Sequence, residues 1–156
     1  MCAGLAVERR AIPDELVEKY HLHDRLVTRG DGPPEIQFHF RAKVPLLPVQ
    51  HANQFDIFLW GNRDDKKSKL PRTGWCKIES LEAGKWKYLH PVEVEIPCSY
   101  GLEKGVWFQV QEGFKGIMVN DEKGIPHVYM LTQPASHYYE VMTRHDREPV
   151  FIGKSI

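Results

Sequence analysis

Cys2 would carry two reactive groups on one carbon skeleton if Met1 were removed: a free α-amine and a thiol. An α-amine titrates near ~8, so part of it is neutral at cellular pH and can attack an aldehyde. The thiol can then close a thiazolidine ring on the resulting imine, which a cysteine inside the chain cannot do. Taken alone, a cysteine in second position reads first as an incidental small residue. Glu103 lies in Ser99-Tyr100-Gly101-Leu102-Glu103-Lys104-Gly105, between two strand candidates, where an acid is either a general acid/base or a surface turn residue. His145 stands in Arg144-His145-Asp146-Arg147-Glu148-Pro149, directly before the apolar run Val150-Phe151-Ile152. Polar residues at a strand entry form a site rim or a solvated turn.

Between Arg63 and Lys87, eight cations (Arg63, Lys66, Lys67, Lys69, Arg72, Lys77, Lys85 and Lys87) face four acids (Asp64, Asp65, Glu79 and Glu82), with Trp60, Trp75 and Trp86 interleaved. Basic groups with aromatics can follow a single nucleic-acid strand and stack its bases. A solvated lysine loop beside core tryptophans has the same pattern. Cys76 and Cys98 fall in half-apolar segments and read as packing thiols. His21 and His23 flank Leu22 with no third ligand spaced to them, so no metal site is expected and both read as surface residues.

The elements that must position these groups follow from periodicity. Pro13 to Leu22 predicts a short amphipathic helix, with Asp14 and Glu15 in its first turn and Leu16, Val17 and Tyr20 on one face. Strand patterns occupy 36–40, 44–49, 55–60, 92–96, 106–110, 116–119 and 127–131, and Pro45 and Pro48 place the second at a sheet edge. Further short helices are expected at 79–83 and from about Pro134 to Met142. Many short strands with a few short helices predict an α+β fold with a curled, barrel-like, mostly antiparallel sheet.

The chain has 156 residues, 42% of them hydrophobic, which suits one domain spanning 1–156 and excludes a long disordered chain. Lys+Arg 21 against Asp+Glu 21 gives zero formal charge, which argues against a nucleic-acid coat protein and confines any such affinity to one face. Three cysteines without CxxC spacing fit neither a zinc ribbon nor a disulfide framework. With no signal-peptide pattern and no apolar run near eighteen residues, a cytoplasmic, reduced protein is expected.

Taken in order, these motifs resemble the SOS-response-associated peptidase (SRAP) family, the abasic-site processing proteins. Members begin Met-Cys-Gly-Arg, beside Met1-Cys2-Ala3-Gly4 here. Their Trp-Gly followed by Asn-x-Arg-x-Glu-[Ser/Thr] resembles Trp60-Gly61 followed by Trp75-Cys76-Lys77-Ile78-Glu79-Ser80. Their Ile-Pro-Ala-x-Gly-[Phe/Tyr]-[Tyr/Phe]-Glu-Trp resembles Ile96-Pro97-Cys98-Ser99-Tyr100-Gly101-Leu102-Glu103-Lys104, and their Leu-Thr with His-x-Arg-x-Pro-Val resembles Leu131-Thr132 with His145-Asp146-Arg147-Glu148-Pro149-Val150. Trp75 thus takes the place of the family's asparagine, Lys77 of its arginine and Lys104 of its final tryptophan.

The resemblance implies a cofactor-independent monomer that binds single-stranded DNA, associates with the nucleoid when bound, and captures the ring-opened aldehyde of an abasic site. Cys2 is the implied nucleophile, with Glu103 and His145 as catalytic acid/base groups. Lys77, Lys66, Lys67, Arg72 and Arg147 are the expected phosphate contacts, and Trp75 and Trp60 the expected stacking surfaces. Two alternatives stay open: a thiol peptidase acting through Cys2 and His145, and a noncovalent single-stranded DNA-binding module.

Overall fold

The computed structural model describes residues 2–153. Met1, whose removal the reading of Cys2 requires, lies outside the described residues. The chain begins with β1 (Gly4–Glu8), α1 (Asp14–Lys19), β2 (Leu26–Val27), β3 (Glu35–His39), β4 (Leu46–His51) and β5 (Gln54–Trp60). It continues with β6 (Trp75–Lys77), α2 (Ile78–Glu82), β7 (Val92–Pro97), β8 (Tyr100–Glu103) and β9 (Val106–Gln109). Then come β10 (Gly113–Asn120), β11 (Pro126–Pro134), α3 (His137–Thr143) and β12 (Arg147–Pro149).

The fold is α+β, as the periodicity predicts. Strands β10, β7, β4, β5 and β11 follow one another, and β10 pairs back onto β11, closing a five-stranded barrel. Most ladders are antiparallel; β5 and β6 run parallel to β11. A second, antiparallel sheet in the order β2-β3-β1-β8-β9 packs against it. The shared core includes Leu5, Val7, Ile36 and Phe38 from that sheet and Leu47, Val49, Val94, Ile96 and Phe114 from the barrel. These are the inward positions of period-two strands, and burying such side chains contributes about 1.5–3 kcal/mol each.

The structure corrects the expectation that β4 lies at an edge, since β4 sits between β5 and β7. Its ladder to β7 is a single pair, Gln50 with Glu95, so the donor that Pro48 lacks is accommodated inside the barrel. The first helix is shorter than predicted. It stops at Lys19, and His21 takes a left-handed conformation before a further helical turn at Leu22–Arg25. Strand β1 escapes the sequence reading because its segment is buried on both faces and shows no alternation.

The basic stretch is an excursion from an almost continuous strand. Leu59 and Trp60 of β5 pair with His127 and Val128 of β11, and Trp75 to Lys77 of β6 resume alongside Met130 to Thr132. At the neck, the Gly61 N–H donates to the Val128 carbonyl at 2.8 Å and the Asn62 N–H to the Thr73 carbonyl at 3.0 Å. Gly61 has φ +57, and a Cβ there would lie 2.2 Å from the Thr73 oxygen. Only glycine fits that close approach, which gives the Trp60-Gly61 pair a structural reason. The Trp60 indole closes the neck by donating to the Gly74 carbonyl at 2.9 Å.

Candidate functional site

Residues 2 and 3 extend the ladder of β1. The Ala3 N–H donates to the Leu102 carbonyl at 2.8 Å, and the Phe40 N–H donates to the Ala3 carbonyl at 3.1 Å. The Trp75 indole N–H donates to the Cys2 carbonyl at 2.9 Å. An indole donor therefore fixes the main chain of Cys2. Trp75 is half-buried against Phe40, ring centroids 4.8 Å apart, and Trp60, 5.9 Å apart.

A cleft of about 470 Å³ opens here, lined by Ala3, His39, Phe40, Arg41, Trp75, Leu102, Glu103, Lys104 and His145. Glu103 ends β8 on the inward face and is only 2% exposed, so it is not a surface turn residue. The Tyr139 hydroxyl donates to Glu103 Oε1 at 3.2 Å. Burial, with Cys2 and Glu103 nearby, raises the pKa of Tyr139 and keeps that hydroxyl a donor.

His145 reaches the cleft because α3 ends just before it. Ser136 caps the helix by accepting from the Tyr139 N–H, and the buried Glu148 carboxylate accepts from the Ser136 N–H at 2.7 Å and from Gln133 Nε2 at 2.9 Å. Arg144 then takes a left-handed conformation, and the chain turns inward. His145 Nδ1 lies 4.0 Å from Glu103 Oε1 and 3.6 Å from the exposed Asp146 carboxylate. It also lies 3.0 Å from the Arg147 N–H and 3.2 Å from the Arg147 carbonyl. With Nδ1 unprotonated, the ring accepts from the Arg147 N–H; with Nδ1 protonated, it donates to the Arg147 carbonyl and faces two carboxylates. That pair of states suits a proton carrier.

Cys2 is fully buried, and its thiol donates to the Gly4 carbonyl at 3.1 Å. Burial pushes the thiol up to about 12 and the Glu103 charge adds to the rise, with backbone bonds at Leu102 and Gly4 offsetting part of it. His39 crosses above Gly4, where a Cβ would lie 3.0 Å from its Nδ1, and it meets the edge of Trp107, centroids 6.1 Å apart. Its pKa is lowered by burial and by the charge of Arg25. A larger cavity of about 690 Å³ lies between α1 and β4 and shares only His39 with the cleft. It holds neither Glu103 nor His145, so its size alone does not make it the candidate site.

The structure thus gathers Glu103, His145 and Trp75 on one cleft, leaves Cys2 buried behind it with its carbonyl held by Trp75, and separates the other expected contacts. Trp60 is corrected to a core residue, 1% exposed, with no face for a base. Arg147 makes a two-pronged ion pair with Glu79, at 2.6 and 2.9 Å, and also donates to the Thr132 carbonyl. Lys66, Lys67 and Arg72 are exposed on the connector and Lys77 at the end of β6. Among the described residues, none of these five cations lines the cleft, whose cations are Arg41 and Lys104. The connector is braced by Asn62, which donates to the Asp65 and Leu70 carbonyls, and by Glu122, which accepts from Ser68 and from the Lys69 N–H.

Tyr139 and His39 were missed in the sequence. The only trace of the first is its place three residues after the Ser136 cap, on the face of α3 shared with Met142 and Thr143. Cys76 and Cys98 are buried, whereas His21 and His23 are exposed. No cluster of potential metal ligands occurs among the described residues, and no helix there is long and apolar enough to cross a membrane. No family model matches the chain, and neither a curated protein nor a solved structure matches it.

Proposed function

We propose that the chain captures the ring-opened aldehyde of an abasic site in single-stranded DNA as a thiazolidine on Cys2, after removal of Met1. The observation that carries this reading is one cleft lined by a buried carboxylate, an imidazole 4.0 Å from it and the Trp75 indole that holds the Cys2 carbonyl. The α-amine of Cys2 adds to the aldehyde carbon, and the carbinolamine loses its hydroxyl as water to give an imine. The thiol then adds to the imine carbon, closing the ring with net loss of one water. Each step moves a proton, and a carboxylate beside an imidazole supplies both directions of transfer.

The state of the thiol favours this order over peptidase chemistry. A cysteine peptidase attacks with a thiolate whose pKa is depressed, whereas burial pushes Cys2 up to about 12. A thiol that acts second can pass its proton to the basic imine nitrogen as its sulfur bonds to the imine carbon, so it does not have to rest as a thiolate. The test is incubation with a single-stranded oligonucleotide carrying one abasic site. The reading expects a heat-stable adduct that Cys2→Ala abolishes; binding without an adduct would leave only a noncovalent module.

A further inference from the structure

Lys104 brings a second amine to the cleft. It occupies the two-residue turn between β8 and β9, where Glu103 pairs with Val106. Lys104 has φ +48 and Gly105 has φ +79, the left-handed pair that joins antiparallel strands. Glycine, asparagine or aspartate suits the first of these positions, whereas lysine is strained there, and strained backbone clusters at functional sites. Lys104 Nζ donates to the Arg144 carbonyl at 2.9 Å, beside the segment that delivers His145. That bond is to a neutral carbonyl oxygen and leaves Nζ at the mouth of the cleft that Lys104 lines.

We propose that Lys104 is a second aldehyde-capturing amine, forming a reversible imine with an abasic sugar in the same cleft. Nζ gives up a proton to a base, and its lone pair adds to the aldehyde carbon while the carbonyl oxygen takes up a proton. The carbinolamine then expels that hydroxyl as water as the C=N bond forms, with no oxidant or reductant. Glu103 and His145 line the same cleft and serve as the proton donor and acceptor. Lys104 has no neighbouring thiol on its own skeleton, so its product stays an imine that water reverses. The proposal rests on the reading that the cleft admits an abasic sugar, but it is independent of Met1 removal.

The test treats the full chain with 2-deoxyribose 5-phosphate and cyanoborohydride and maps the reduced product by peptide mass. Lys104 is expected to label at least about tenfold faster than exposed Lys66 and Lys67, and to lose about tenfold of that rate in Glu103→Gln. Labelling no faster than at Lys66 and Lys67 overturns the proposal. With an abasic oligonucleotide, a crosslink that needs reductant should map to Lys104, survive in Cys2→Ala and vanish in Lys104→Arg. A reductant-independent adduct at Cys2 with no label at Lys104 overturns this proposal alone. A reductant-dependent adduct at Lys104 without one at Cys2 overturns thiazolidine capture and sustains this proposal.

Discussion

His145 and Arg147 are two residues apart on one strand entry, yet each meets a carboxylate in a different environment. Outside, Arg147 grips Glu79 through two short bonds, and that pair pulls the Glu79 carboxyl down to about 2. Inside, His145 stands 4.0 Å from Glu103, beyond direct hydrogen-bond length. The outer pair is a geometric tie between α2 and β12, and it opens no cleft. What differs is the carboxylate: Glu103 is buried and held by the Tyr139 hydroxyl, with His145 held by the Arg147 main chain, whereas Glu79 is half exposed. Similar residue types thus form a tight positioning tie in one place and, in the proposed function, a proton-transfer pair in the other.

The largest effect expected to sharpen this contrast is on rate. Glu103→Gln should slow adduct formation on abasic DNA by about 100-fold in single-turnover assays, the scale of a lost general acid/base. Glu79→Gln should leave that rate within about twofold, and a loss matching that of Glu103→Gln would dissolve the distinction between the pairs. His145→Ala should cost about 10–100-fold and flatten the pH profile of the rate. Tyr139→Phe removes one hydrogen bond to Glu103, so about 1 kcal/mol of stability should go, measured by denaturant unfolding.

The two regions should also titrate apart. The folded state holds His39 below its ordinary ~6.5 and so favours the neutral ring, and the corresponding stability is complete above that pH and lost as pH falls through it. The Glu79 contribution is complete above ~4.3 and lost only as pH falls toward 2. Thermal melts across pH should show the first slope vanish in His39→Gln and the second in Glu79→Gln. The smallest effect concerns DNA affinity: Arg41→Ala at the cleft should weaken binding more than Lys66→Ala on the connector, each lowering the salt slope by about one.

Much of the fold was legible because its strands alternate: Val92 to Ile96 and Phe55 to Trp60 became strands where the period predicts them, and Ile36 to Phe40 did so up to His39. Strand β1 was not legible, because a segment buried on both faces looks like any short apolar run. At the site, Glu103 and His145 could be picked out by their local polar clusters, but local pattern left each balanced between chemistry and surface. Their 4.0 Å approach comes from the Arg144 turn and the β8–β9 hairpin, a long-range result that no spacing encodes. The expected DNA contacts were least legible, since a run of lysines and tryptophans does not say which ring goes inward. Trp60 does, to close the neck with Gly74, and the connector lysines stay outside the cleft.

The most direct test of the central claim is the intact mass of the protein after incubation with an abasic single-stranded oligonucleotide, without reductant. The expected species equals the chain less Met1 plus the oligonucleotide less one water, stable to heat and absent from Cys2→Ala. A protein that loses Met1 and binds the oligonucleotide, yet shows only its own mass after denaturation, would contradict the claim.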